Sequence, residues 1–550
     1  FTSYLFVSLL KACSDLKDAK ICGDIHAKID SIGLFQKNPF VGSALIHMYA
    51  KCGLLCKAIQ VFDVVNVRDV VIWTTLIDGY VENGYGDEAL ISYHQMCIEG
   101  IAPNAPTLIC ILKACIKSGN LRKGVDLHTQ IKELGFSETE PHLGSTLVDM
   151  YAKVGSLDYA KKVFDELQVQ DIVSWTSLIY GYAEHGHGNE ALECFERMQR
   201  EGIPPNATAF VCVLKACSNI GATNQVQGIH VEVERKGLLE ENPIIGITLI
   251  DAYVKCGLLS CAEEVFDKLP NQDVISWTVL IGGYVEHGHV KDALRCFDEM
   301  TLKGVIPNST TFVCILKACG SIGNAVRGQQ ICAEIEIQGL QQQKFVGSAM
   351  VDMLAKCRLF TLAQEVFERI QYHDVVAWTS LIVGYGEHGY GEEALMCMEQ
   401  MELENVHPNA ATFICCLKAC GNLGIIGKES KIHEEIVKQG LLGKNLVVAN
   451  ALIHMYAKCG HLAKAQEVFN GLVVRDVVSW NALITGYAEH GHGNEAIRCF
   501  DNMKKGGITP DPVTYMCALK ACTSIRDFER GKEIYLHTVN ESIKIRPLCA

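Results

Sequence analysis

No run of roughly 18 uncharged apolar residues occurs anywhere in the 550-residue sequence, so a membrane-spanning helix is not expected. No segment alternates apolar and polar residues as a strand would, and no long linker interrupts the chain; a sheet and a string of separate domains are both disfavoured. Positive charge is short as well. The 49 Lys and Arg face 63 Asp and Glu, a net charge of −14, which argues against a generic polyanion binder whose affinity comes from neutralising phosphates. Catalytic constellations are missing too. His230-Val231-Glu232 and His433-Glu434-Glu435 match the H-x-E half of a deaminase zinc site, but no C-x-x-C exists to complete it. No phosphate-binding glycine loop or nucleophile arrangement is present. The EHGH run at Glu489 to His492, repeated near His185 and His287, falls between helical segments and reads as turn surface rather than a metal cluster. The chain therefore reads as a recognition module and not an enzyme, with no cofactor and no metal.

Tryptophan is scarce, and its scarcity exposes the organisation. The five residues Trp73, Trp175, Trp277, Trp378 and Trp480 recur about every 102 residues, each fourth in a copy of the segment that ends the series as VVSWNALITGYAEHGHGNEAIRCFDNMKKGGITPD, Val477 to Asp511. Between copies lie a block carrying LKAC and a shorter one carrying YAKCG. The order begins with an LKAC block at 3–38, a short block at 39–69 and a Trp block at 70–104, and continues through 105–140, 141–171 and 172–206; 207–242, 243–273 and 274–308; 309–343, 344–374 and 375–409; 410–445, 446–476 and 477–511; and a last LKAC block at 512–547. That makes sixteen repeats in one continuous array. Within a block, apolar residues fall at helical spacing in two runs, as in Trp480, Leu483, Ile484 and Tyr487, then Ala496, Ile497 and Phe500. Gly491 and Gly493 mark the turn between the runs, and Gly506, Gly507 and Pro510 end the second. Helix pairs this short cannot bury their apolar stripes alone. The expected fold is all-α, a solenoid of stacked helix-turn-helix units.

Many of the 26 cysteines sit at fixed repeat positions, such as Cys13, Cys115, Cys217, Cys319, Cys420 and Cys522 of LKAC. There they act as small core residues, which points to free thiols in a reducing compartment. The chain opens on Phe1 and closes on Leu548, Cys549 and Ala550, which begin a further short block; both ends read as cut.

The alternation of blocks of roughly 35, 36 and 31 residues, together with VVSWNALITGYAEHG, TFVCILKACGSIG and VVANALIHMYAKCGHLAKAQEVF, resembles the plant pentatricopeptide repeat proteins in which P, L and S repeats alternate. The resemblance covers residues 3–547. Tetratricopeptide repeats would instead show a uniform 34-residue period and a WxxLGxxY signature. The resemblance implies binding of single-stranded RNA, one nucleotide per repeat, in mitochondria or chloroplasts. It further implies the role of specificity factor for cytidine-to-uridine editing, with the deaminase and accessory proteins supplied downstream or by partners, no membrane association, and a monomer. An RNA stabiliser or splicing factor acting by site occupancy, and a protein-interaction solenoid, are the alternatives.

In that family the fifth and last residues of a repeat read a base together and the second packs on its face. In the Trp blocks the fifth residues are Thr74, Thr176, Thr278, Thr379 and Asn481, and the last are Asn104, Asn206, Asn308, Asn409 and Asp511. In the short blocks they are Ser43, Ser145, Ile247, Ser348 and Asn450, with Asp69, Asp171, Asp273, Asp374 and Asp476. The simpler reading of these Asn and Asp residues is that they cap the following helix. As readers, Asn offers a donor to adenine N1, Asp accepts from guanine or uracil, and a small hydroxyl at position five leaves room for a purine. The site then reads n-G-A-n-G-A-n-n-A-n-G-A-n-U-U-n from the 5′ end, with Ile247 leaving its base open. Val7, Ile109, Val211, Val313, Ile414 and Met516 of the LKAC blocks cannot hydrogen-bond at that position. Val71, Val173, Ile275, Val376 and Val478, with Phe40 and Phe345, are the expected base-packing residues, unless they are buried between repeats. Lys11, Lys113, Lys215, Lys317, Lys418 and Lys520 at position nine of the LKAC blocks, and Lys51, Lys153, Lys255, Lys356 and Lys458 at position thirteen of the short blocks, are expected to form a basic track for the RNA backbone.

Overall fold

A computed structural model describes residues 2–33, 38–135, 140–371, 373–424 and 428–545. The described residues form 34 α-helices and one 3-10 turn, without a strand. None of these helices is long and apolar enough to cross a membrane. The chain divides into two compact units, 1–283 and 284–550.

Each block supplies a helical hairpin. In the last Trp block the first helix runs Val477–Glu489 and the second Gly493–Lys505. Asp476 starts the first helix, its side chain accepting from the Ser479 amide, and Gly491 makes the turn with φ of 81°, a backbone region that side chains resist. Block length follows the second helix. It has 13 residues in Gly86–Ile98 of a Trp block but only 10 in Leu55–Val64 of a short block, so a shortened second helix accompanies the 31-residue repeat.

Within each unit, first helices pack on first helices of the next block, as Pro141–Lys153 does on Ile172–Glu184 and Leu446–Lys458 on Val477–Glu489. Gly486 permits one such approach: a Cβ there would collide with the Cβ of Ala457. The Trp side chains seal the joint from short block to Trp block. Trp175 and Trp480 meet Phe164 and Phe469 edge to face at 4.5 Å between ring centroids, an arrangement worth about 0.5–1.5 kcal/mol beyond area burial. The LKAC cysteines Cys115, Cys319 and Cys420 are buried and free, and burial pushes each thiol up to about 11, which makes them inert core residues.

Candidate nucleic-acid interface

The last residue of each Trp and short block caps the next block's first helix. Asn104 Oδ1 accepts from the Thr107 amide at 3.0 Å, Asn206 Oδ1 from Ala209 at 2.8 Å, Asn308 Oδ1 from Thr311 at 2.9 Å and Asn409 Oδ1 from Thr412 at 3.0 Å. Asp69, Asp171, Asp273, Asp374, Asp476 and Asp511 do the same for the helices that follow them. A backbone N–H demands an oxygen, so the cap fixes which edge of each side chain turns inward. Asn is left presenting Nδ2, a donor; Asp is left presenting its second oxygen, an acceptor, which at Asp511 already takes Asn481 Nδ2. Capping occupies one face of the side chain and leaves the other.

Many fifth residues lie against these caps. Ser145 Oγ donates to Asp171 at 3.0 Å and Ser348 Oγ to Asp374 at 3.1 Å. Asn450 Nδ2 donates to Asp476 at 3.1 Å, and Asn481 Nδ2 to both Asp511 oxygens at 3.0 and 3.1 Å. Thr176 Oγ1 is 3.5 Å from Asn206 Oδ1. Thr74 and Thr379 reach their Asn partners through one further hydroxyl, of Thr107 and Thr412. Ser43 instead donates to the Phe40 carbonyl at 3.2 Å. Thr278 donates to the Val274 carbonyl. Partial burial pushes the Asp511 carboxyl up, but hydrogen bonds from the Thr514 amide and hydroxyl, the Asn481 amide and the Val513 N–H outweigh it and hold Asp511 below the ordinary carboxylate range.

In the second unit these residues line a groove of about 830 Å³ whose walls include Asn450, Asp476, Val478, Asn481, Asp511 and Lys520. The second-position residues Phe40, Val71, Val173, Ile275, Phe345, Val376 and Val478 remain between 46% and 72% exposed, so they are not buried between repeats. Ile244 and Val447, at the same position in two other short blocks, are equally open and escaped the sequence reading.

The lysines are less free than their periodicity suggests. Lys153, Lys255 and Lys356 pair with Asp149, Asp251 and Asp352 one helical turn away, at 2.8–2.9 Å. Lys51, Lys215 and Lys520 reach Glu82, Glu184 and Glu489, the thirteenth residues of Trp blocks. Lys458 donates to Asn422. Lys11, Lys113, Lys317 and Lys418 make no ion pair among the described residues. The sequence signal for the acids was available in the i, i+4 spacing of Asp352 and Lys356 and in the recurrent Glu of YAEHG.

The histidine motifs have structural partners. His230 and His433 meet the hydroxyls of Tyr253 and Tyr456 at 2.9 Å, Glu232 pairs with Lys236, and His185 Nε2 lies 3.1 Å from the Ala152 carbonyl. No group of three or more His, Cys, Asp or Glu among the described residues is placed to hold a metal.

Stacked helical hairpins with paired polar residues recurring at the starts of first helices define a helical repeat protein. The chain belongs to the pentatricopeptide repeat family: it matches the PPR repeat family at 68–117, 170–219, 272–321, 373–422 and 475–524, and the PPR repeat at 145–172, 247–274 and 447–477. A chloroplastic pentatricopeptide repeat-containing protein of Arabidopsis thaliana is 34% identical over 76% of this chain and 67% of its own length. A second chloroplastic relative from that plant is 30% identical over 98% of this chain and 56% of its own, and a mitochondrial one 30% identical over 85% and 68%. The chain thus spans 56% to 68% of the length of these relatives. Among solved structures, maize PPR10 is similar with a TM-score of 0.66 at 18% identity, over 97% of this chain and 83% of that one. PPR10 in complex with an 18-nucleotide psaJ RNA element gives 0.60 at 18% identity, over 96% and 90%.

Proposed function

We propose that the chain binds single-stranded RNA sequence-specifically, one nucleotide per repeat, with the fifth and last residues of the Trp and short blocks reading the base edge and the second residue packing on its face. The observation that carries this reading is the orientation imposed by the caps. Because Oδ1 of Asn104, Asn206 and Asn409 accepts a backbone N–H, the donor Nδ2 is left for a ligand, which suits the N1 acceptor of adenine. The second oxygen of Asp171, whose Oδ1 takes both the cap and Ser145, suits the N–H groups of guanine or uracil. Exposed apolar second residues beside these edges supply a sequence-tolerant contact with the base face. Maize PPR10, which shares the fold, is an RNA-bound protein in one of its structures.

The alternation of three block types supports a finer role, as a specificity factor of the P, L and S class for organellar cytidine-to-uridine editing, with deamination performed by another domain or partner. The chloroplastic and mitochondrial relatives support the organelle.

The test is Asn409→Asp. Aspartate caps equally well, as Asp374 does one block earlier, so the fold is kept while the outward donor becomes an acceptor. The carboxylate repels adenine N1 and matches the N1–H and amino group of guanine. Preference at the nucleotide facing Val375–Asn409 is expected to invert, by more than roughly fivefold, since a matched base contact is worth about 1–3 kcal/mol. Equal adenine-to-guanine ratios for parent and variant in fluorescence anisotropy would show that Thr379 and Asn409 do not read a base.

A further inference from the structure

The third residue of an LKAC block is a threonine in four blocks, Thr107, Thr311, Thr412 and Thr514, each with no exposed surface. Its amide makes the cap already described. Its hydroxyl does something separate. Thr107 Oγ1 lies 2.7 Å from Asn104 Oδ1 and 2.6 Å from Thr74 Oγ1; Thr412 Oγ1 lies 3.1 Å from Asn409 Oδ1 and 2.8 Å from Thr379 Oγ1. Where the readers are Asn and Asp, Thr514 Oγ1 lies 2.6 Å from Asn481 Oδ1 and 2.8 Å from Asp511 Oδ1. One buried hydroxyl, its single proton shared between the two acceptors, therefore lies between the fifth and last residues, side chains 30 positions apart in sequence with no direct hydrogen bond between them among the described residues in the Thr74 and Thr379 blocks.

The chain contains its own controls. The third LKAC block has Ala209 at this position, and there Thr176 Oγ1 meets Asn206 Oδ1 directly at 3.5 Å, without a bridging hydroxyl from the third residue. At the joint from short block to Trp block the third residue is Ser479, whose hydroxyl turns back to the Asp476 carbonyl at 2.8 Å. Asn450, the fifth residue there, keeps a buried Oδ1 without a hydrogen-bond partner among the described residues, whereas Asn481 Oδ1 lies against the Thr514 hydroxyl.

We propose that Thr107, Thr412 and Thr514 are positioning residues for base discrimination by the Trp block that precedes each. The hydroxyl ties the inner edge of the last residue to the fifth, so neither can rotate its polar edge out of register with the base. Discrimination is then graded along the chain: strict where the threonine is present, looser at the block ending in Asn206. The inference rests on the proposed base-reading role of the fifth and last residues.

The experiment measures adenine-to-guanine affinity ratios at single nucleotides, by fluorescence anisotropy with otherwise matched RNAs, on the full chain. Thr412→Val removes the hydroxyl but keeps shape, the amide cap and the Thr379 bond to the Val375 carbonyl. It is expected to lower the ratio at the nucleotide facing Val375–Asn409 about threefold to tenfold, the scale of one hydrogen bond, and to leave other nucleotides unchanged. Thr412→Ser should restore the ratio. Ala209→Thr should raise it at the nucleotide facing 172–206, in a block whose native alanine already shows that the fold does not require the threonine. If Asn409→Asp inverts preference while Thr412→Val and Ala209→Thr leave the ratios untouched, the positioning role is wrong and base reading stands. If none of the three substitutions moves a ratio, the base reading itself is wrong. Equal weakening of every RNA by Thr412→Val, with a lower Tm and no rescue by serine, would make the threonine merely structural and also overturn the proposal.

Discussion

Asp511 shows how one side chain serves fold and interface together. It caps Pro512–Ser524, receives both a hydroxyl from Thr514 and an amide from Asn481, and its carboxyl is held below the ordinary range by those bonds despite partial burial. A carboxylate with a depressed folded-state pKa contributes stability above its unfolded value, and that contribution is lost as pH falls through the folded pKa. Asp511→Asn keeps a capping oxygen but turns a donor toward the Asn481 donor. The variant is expected to be less stable than the parent at pH 7, with the gap narrowing as pH drops below about 4, the ordinary aspartate range. Thermal melts at pH 7 and in that acid range check this, and a gap that stays constant with pH would detach Asp511 from the titration. A glycine contrast probes packing at the same scale. Gly486→Ala should cost about 1–3 kcal/mol by overpacking against Ala457, while Gly228→Ala, with open space around its Cβ in the helix Thr223–Arg235, should gain about 0.5–1 kcal/mol in urea unfolding.

Along a single first helix, one face carries both signs of charge a turn apart. In Lys344–Lys356 the cation Lys356 is held by Asp352 at 2.8 Å, whereas Lys317 of the helix Ser309–Ile322 makes no ion pair among the described residues. Asp352→Asn should therefore release a lysine to phosphate: affinity for matched and scrambled single strands rises alike, and the salt dependence steepens by up to about 0.7 in log–log slope. Unchanged affinity in anisotropy titrations would mean that Lys356 does not contact the backbone. This mixed stripe also marks what the sequence could and could not convey. Periodicity was enough for the helix pairs and the glycine turns, because each depends on local spacing, whereas the fifth and last positions were singled out by the family resemblance. The Asp352–Lys356 pair was visible as i, i+4 spacing but was outweighed by the more regular lysines. Thr412 left no distinguishable signal. Its role depends on a side chain 33 residues earlier, and within TFICCLKAC it reads as one more residue at the start of a helix.

For the whole chain, charge and specificity pull in opposite directions, and their balance can be measured. Net charge is −14, and of the eleven lysines expected to track the RNA, six are tied to carboxylates. If only the five without an ion pair, Lys11, Lys113, Lys317, Lys418 and Lys458, release counterions, the slope of log affinity against log salt should be about −3.5; engagement of all eleven would bring it to about −7.7. The shallow value is expected for scrambled RNA, because a loosely held strand gives the ion-paired lysines no reason to exchange partners. Matched RNA adds base-edge contacts that salt does not screen, and such contacts are what separate specific from non-specific complexes. It should outbind the scrambled strand by a factor that persists as salt is raised. Affinity isotherms for both RNAs across a salt series decide the matter: equal binding at every salt concentration would remove base recognition, and a slope near −7.7 for both would make the chain an electrostatic binder despite its sign.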